Sequence, residues 1–169
     1  METVLTLSGV DFPPTSARGC KQTLTLVENG RMLRTINGDL HFVGGGPSKY
    51  HSVIECQDKI APSLNKVTRG SLLTVGCIQR LSQTLPKGET EVILEREAIP
   101  DSILAMTKDR ETIGGLMVID GRHVGLPSPQ DQDIFISYRP HLKMRVKRLS
   151  LQTDEWGLGV GWQLEVEEV

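Results

Sequence analysis

The chain reads as an all-β protein, mainly antiparallel, on three observations. Its apolar residues recur with a period of two far more often than 3.6. Asn-Gly and Asp-Gly pairs punctuate the alternating runs, and such pairs tolerate the positive φ of hairpin turns. Hydrophobic residues make up 38% and charged residues 24% of 169, so a packed core is affordable and wholesale disorder is excluded. The architecture expected is a β-sandwich or a partly closed barrel. It would form a single β domain over 1–169, with a long loop-rich insertion at 96–132.

Val4–Leu7 reads as a short strand, broken by Asp11-Phe12-Pro13-Pro14-Thr15 because proline cannot donate to a ladder. Gln22–Val27 alternates Leu24 and Leu26 with threonines. Turn signals at Glu28-Asn29-Gly30 and Asn37-Gly38 separate it from Met32–Ile36 and Leu40–Val43, a spacing that predicts a meander. Gly44–Lys49 reads as a loop, Lys49–Cys56 as a strand and Pro62–Gly70 as another loop. Ser71–Ile78 places Leu73, Val75 and Cys77 on one strand face, and Leu85–Gly88 turns into a strand at Glu89–Glu95. Pro100–Lys108 could form a short helix, with Ala105 and Met106 favouring it, though Asp101-Ser102 suits a turn equally. Leu116–Val124 predicts a small hairpin around Asp120-Gly121. Gly125–Asp133, rich in Pro, Gln and Asp, reads as an exposed loop.

The clearest pattern closes the chain. Leu142, Met144 and Val146 alternate with Lys143, Arg145 and Lys147. The phase then slips, and Leu149 and Leu151 carry the apolar face onward, as one extra residue near Lys147-Arg148 would require. After a turn-rich stretch at Thr153–Gly159, Val160, Trp162, Leu164 and Val166 alternate with Gly161, Gln163, Glu165 and Glu167. The two segments predict a β-hairpin whose outer faces carry opposite charges.

Charge and motifs exclude several classes. Nineteen basic against 21 acidic side chains give no general attraction to nucleic acid or anionic membrane. No run approaches the roughly 18 apolar residues of a spanning helix. The N-terminus lacks a basic region and a long apolar run, so folding in a cytosol with reduced thiols is expected. Cys20, Cys56 and Cys77 are isolated, and His41, His51, His123 and His141 supply no close ligand pairs, so no metal site is expected. Cys56 and Cys77, each at a strand end, could be sheet neighbours as two buried thiols or as a disulfide. Cys56 near His51 or His41 could in principle be a nucleophile and its base, but no motif supports it. A serine-hydrolase elbow is absent. Asp154-Glu155 are adjacent in a turn, where two carboxylates diverge. Gly44–Lys49 lacks the Gly-Lys pair of a phosphate loop. The basic run His141–Arg148 lacks interleaved aromatics, which are 4% of the chain, and Glu165 and Glu167 stand ready to neutralise it. Trp162 belongs to the core face; Trp156, in the turn, either folds back or meets a partner. No catalytic, cofactor-binding or metal-binding residues are therefore assigned, and no cofactor or small-molecule substrate is expected.

Four strings carry a resemblance: Phe12-Pro13-Pro14-Thr15-Ser16-Ala17-Arg18-Gly19, Arg34-Thr35-Ile36-Asn37-Gly38-Asp39-Leu40, Ile136-Ser137-Tyr138-Arg139-Pro140, and the end from Thr153-Asp154-Glu155-Trp156-Gly157 through Val160–Val169. They resemble small structural proteins encoded among the virion genes of tailed bacteriophages, of the tail-tip, hub or head-completion type. The resemblance covers both ends of the chain, about two-thirds of it, and leaves out Arg96–Gln132. It implies a non-enzymatic virion subunit of the tail or tail-tip and baseplate assembly, folded in the host cytoplasm. Its partners would be other virion proteins and copies of itself in a ring or symmetric oligomer. A capsid-surface or head–tail joining protein is the alternative within that class, and a carbohydrate-binding β-sandwich module the alternative outside it. Loops Gly44–Lys49, Pro62–Gly70 and Gly125–Asp133 are the expected docking elements.

Overall fold

The alternating C-terminal segments form the centre of the molecule. The computed structural model describes residues 3–13, 16–17, 19–46, 48–58, 60, 62–156 and 159–169, with the backbone alone of Val160. Strands β14 (His141–Thr153) and β15 (Val160–Glu168) pair as an antiparallel hairpin. The register shifts between Val146 and Arg148, a bulge at the point where the sequence changes phase. Leu142, Met144 and Val146 are buried on one strand, and Trp162, Leu164 and Val166 on the other. Leu149 is half-buried but Leu151 is exposed, so the apolar face fades before the turn. Gly157 and Leu158 of that turn lie outside the described residues.

Four strands widen the hairpin into a sheet: β1 (Thr6–Leu7), β2 (Lys21–Val27), β5 (Lys49–Asp58) and β6 (Leu72–Gly76). The order is β1-β6-β14-β15-β5-β2, with every neighbouring pair antiparallel. The inner face buries Ile54 and Cys56 of β5 and Leu73 and Val75 of β6 beside the hairpin residues. Two loops complete this core. Val10, Phe12 and Ala17 come from the segment before β2, and Leu64 and Val67 from the segment between β5 and β6. Pro62–Gly70 is thus partly a cover for the sheet and not the free loop expected, because an apolar sheet face must be buried by something. The outer face is a polar lattice. Lys147 Nζ stands 2.9 Å from Glu167 Oε2 and 3.8 Å from Glu165 Oε1. His51 Nε2 lies 3.0 Å from Glu165 Oε1, and Gln163 Nε2 donates to Glu55 Oε1 at 2.7 Å.

Between β6 and β14 the chain leaves this sheet and builds a second core. Strands β7 (Leu81–Leu85), β9 (Leu104–Met106), β10 (Thr112–Ile113) and β13 (Ile134–Tyr138) form one sheet in the order β10-β9-β13-β7. Strands β8 (Glu91–Ile93), β11 (Met117–Ile119) and β12 (His123–Gly125) form another in the order β11-β12-β8. Residues from both share one buried cluster, including Leu85, Leu94, Ala105, Val124, Ile134, Ile136 and Tyr138. The second core therefore draws on residues 81–138, wider limits than 96–132. Within 96–132 lie β9 to β12, all short strands. Of the two readings of Pro100–Lys108, the turn at Asp101-Ser102 forms, with Ser102 N bonded to Ile99 O at 3.1 Å, and β9 follows it in place of the short helix. Asp101 stands at φ 60°, outside helical space, and Ala105 is fully buried in β9, opposite Ile136 of β13. The expected hairpin around Asp120-Gly121 forms as β11 and β12, with both turn residues at positive φ. Gly125 belongs to β12 and Leu126 is buried, so the exposed loop begins at Pro127.

Few contacts tie the two cores, and Arg96 makes the densest set. Its Nε and Nη2 bond both carboxylate oxygens of Glu168 at 2.6 and 3.1 Å, and Nη2 also donates to Ser48 O at 2.6 Å. Its guanidinium lies 5.6 Å from the Tyr50 ring centroid. The Glu168 hydrogen bonds hold Arg96 above its ordinary pKa. Arg96→Met is expected to cost about 1.5–3 kcal/mol, the range for hydrogen bonds to charged groups, read as a lowered urea midpoint. An unchanged midpoint would mean that the backbone ties alone, such as His141 N to Glu97 O at 2.7 Å, hold the cores together.

Strands β3 (Gly30–Arg34) and β4 (Leu40–Gly44) correct the expected meander. They pair with each other, while β2 pairs with β5 from Lys21↔Glu55 to Val27↔Lys49. Glu28-Asn29 is a jog in one long ribbon, not a chain reversal. Leu24 packs against the core and keeps β2 in the sheet, so β3 continues past it. At the base of this ribbon Gly30 faces Gly44, and a Cβ on Gly30 would lie 2.7 Å from the Gly44 Cα. At its tip Gly38 takes φ 88°, with Gly38 N bonded to Thr35 O at 2.9 Å, so the Asn-Gly turn does form. Among the described residues no helix forms, and no sheet closes into a barrel; the fold is all-β and of sandwich type.

Candidate interaction surfaces

The residues with chemical potential are mostly kept apart. Cys56 and Cys77 are both buried, but β14 and β15 lie between their strands. Both are free thiols, so the disulfide alternative does not form. The neighbour of Cys56 is Cys20, which shares a hydrogen bond with it. Asp58 sits beside them, buried. Its Oδ2 accepts from Ala17 N at 2.7 Å, Trp162 Nε1 at 3.2 Å and Cys56 Sγ at 3.4 Å. Burial pushes the Cys77 thiol up to about 11 and Cys56 higher still, with the Cys20 hydrogen bond adding to the latter. Such thiols are protonated at neutral pH, and the thiolate is the nucleophilic form. His51 is five residues from Cys56 on one strand, hence on the opposite sheet face, where it meets Glu165. His41 is exposed on β4. This group is therefore an anchor: one buried carboxylate stitches the segment before β2 to β5 and β15.

The remaining candidates lie at the surface. Asp154 and Glu155 are exposed in the β14–β15 turn. Of Gly44–Lys49, Gly45, Gly46 and Ser48 are exposed loop residues, while Pro47 lies outside the described residues. In the basic run, Lys147 is paired with acids and Arg145 Nη1 donates to Gly70 O at 2.8 Å. Trp156 is 82% exposed and does not fold back. Among the described residues no three His, Cys, Asp or Glu side chains converge as metal ligands. No helix among them is long and apolar enough to cross a membrane.

The surfaces that stand out are apolar and were not singled out by sequence reasoning. On the β3–β4 arm, Met32, Leu40, Phe42 and Val43 are all more than half exposed, and Ile36 at the tip is bare. Register places Met32 beside Phe42 and Arg34 beside Leu40 on one face, with Leu33 and Val43 on the other. The first face is mostly apolar, the second mixes Leu33 and Val43 with Arg31 and His41, and both are wet. A two-stranded hairpin is marginally stable alone in water, and such a ribbon gains by being covered. The second surface is the outer face of the β11-β12-β8 sheet. Ile119, His123 and Ile93 make one row across it, and Met117, Gly125 and Glu91 the next. Ile93, Met117 and Ile119 are each about 60% exposed and line a groove of about 550 Å³, rimmed by Glu91 and Asp120.

Fold and surface together define a class: an all-β protein with two cores, a projecting two-stranded arm and an apolar groove. No protein-family model matches the chain, and no curated protein matches it.

Proposed function

We propose that this chain is a non-enzymatic structural subunit of a tailed-phage particle, placed in the tail or the tail-tip and baseplate assembly, with other virion proteins and its own copies as partners. The observation that carries the assembly part of this reading is the bare apolar arm. Exposed apolar patches of this kind mark surfaces that are covered in the working state, and an arm extending the edge of a sheet reaches a neighbour at little cost to its own core. The virion part rests on the resemblance of the Arg34–Leu40 and C-terminal strings. The protonated, core-embedded thiols support a non-catalytic role. Phe42, Phe135 and Trp156, the exposed aromatics, sit on three different elements and make no row for a sugar, which weighs against the carbohydrate-binding alternative.

The test is composition. Tailed particles banded from lysates of the strain that encodes the chain should contain its peptides by mass spectrometry, at a constant ratio to the other virion proteins. Immunogold label should fall on the tail or its tip. Label at the head–tail junction would favour the joining-protein alternative. Absence from banded particles would overturn the reading.

A further inference from the structure

We infer that the β3–β4 arm of one copy docks on the groove of the β11-β12-β8 sheet of a second copy, forming a head-to-tail contact. The inference deepens the assembly reading, on which it rests for its premise that the arm is covered in the working state.

The two surfaces match in chemistry. The arm face presents Met32, Phe42 and Leu40 with one cation, Arg34, in the same pair of rows. The groove presents Ile93, Ile119 and Met117 with two carboxylates, Glu91 and Asp120, at its rim. Over 30–44 the arm carries two cations, Arg31 and Arg34, against one acid, Asp39 in the tip turn, and Arg34 Nη1 donates to Gly38 O at 2.9 Å while staying exposed. Complementary charge sets orientation and register where apolar contact alone would not. Gly125 lacks a side chain beside Met117 and leaves a notch in the sheet face, with its missing Cβ position 3.7 Å from Met117 Cε.

Because arm and groove are different surfaces, the contact is heterologous. Repetition then gives a closed ring or an open filament according to the rotation between copies. Self-contact of two arms would bring Arg34 towards Arg34, without the acids the groove supplies.

The experiment is light scattering on size-exclusion fractions of the full chain over a concentration series. The wild type should run as a multiple of the single-chain mass. Phe42→Asp on the arm and Ile119→Asp in the groove should each run as a folded monomer with an unchanged far-UV spectrum, since both positions are exposed in the single chain. Mixing the two variants should restore one dimer and nothing larger: the Phe42→Asp chain still offers its groove, and the Ile119→Asp chain still offers its arm. Arg34→Glu should weaken assembly, and Glu91→Arg in the same chain should recover it. A wild type that stays monomeric overturns the inference, as does assembly that survives either single variant. A mixture that remains monomeric overturns it, and assembly lost in Phe42→Asp but kept in Ile119→Asp would point instead to a symmetric arm–arm contact. A monomeric chain that is nonetheless found in banded particles removes only this inference; arm-dependent assembly of a chain absent from particles removes only the virion reading.

Discussion

Trp162→Ala is expected to lower stability by about 3–5 kcal/mol, the range for removing a large aromatic from a core. The indole is 2% exposed on the inner face of β15, and its ring centroid lies 6.4 Å from that of Phe12. The substitution opens a cavity at the centre of the six-stranded sheet and frees the Phe12 segment that covers it. It also removes the Nε1 donor from Asp58, leaving a buried carboxylate with one fewer partner. Trp162→Phe separates the two effects. It keeps most of the ring and loses the donor, and should cost about 1.5–3 kcal/mol, as for a hydrogen bond to a charged group. Urea denaturation followed by far-UV circular dichroism reads both. A midpoint unchanged by Trp162→Ala would remove the hairpin from the centre of the core.

Tyr138→Ala should be comparably costly, about 3–5 kcal/mol, for the second core. Its side chain is fully buried on β13, and its hydroxyl accepts from Arg96 N at 3.3 Å. Tyr138→Phe should cost only about 0.5–1.5 kcal/mol, the worth of one neutral hydrogen bond. The informative comparison is between probes. β13 runs into β14 through Arg139-Pro140, Ala98 bridges Pro140, and Arg96 grips Glu168. These ties predict one transition, with the fluorescence of Trp162 in the first core falling at the same urea concentration as the overall strand signal. Two separated transitions in the Tyr138→Ala variant would show that residues 81–138 unfold alone.

The hairpin of β14 and β15 was legible down to its bulge. Its signal is local: alternation, a phase slip and complementary charge all lie within about thirty residues. The Leu73-Val75-Cys77 face and the turns at Asn37-Gly38 and Asp120-Gly121 were legible for the same reason. Strand β7 was passed over, and β13 was missed although Ile134, Ile136 and Tyr138 alternate with Phe135 and Ser137, because the Pro- and Asp-rich stretch before β13 drew that region into a loop. The helix at Pro100–Lys108 was a propensity reading of Ala105 and Met106, overridden once Ala105 was needed as a small residue between strands.

Pairing partners were a different matter. That β2 joins β5 across the arm, that Cys56 meets Cys20 and not Cys77, and that Asp58 is an anchor all depend on contacts between residues distant in sequence. The same holds for function. Met32, Leu33, Phe42 and Val43 are apolar on adjacent positions, which in a sequence means a strand buried on both faces. Only the fold shows them bare on both. The sequence by itself determined the class, the central hairpin and the opposite charges on its outer face, because period and charge act between neighbours along a strand. The tertiary structure alone decided which apolar faces were left uncovered, because that depends on how much surface the rest of the chain has available to bury them.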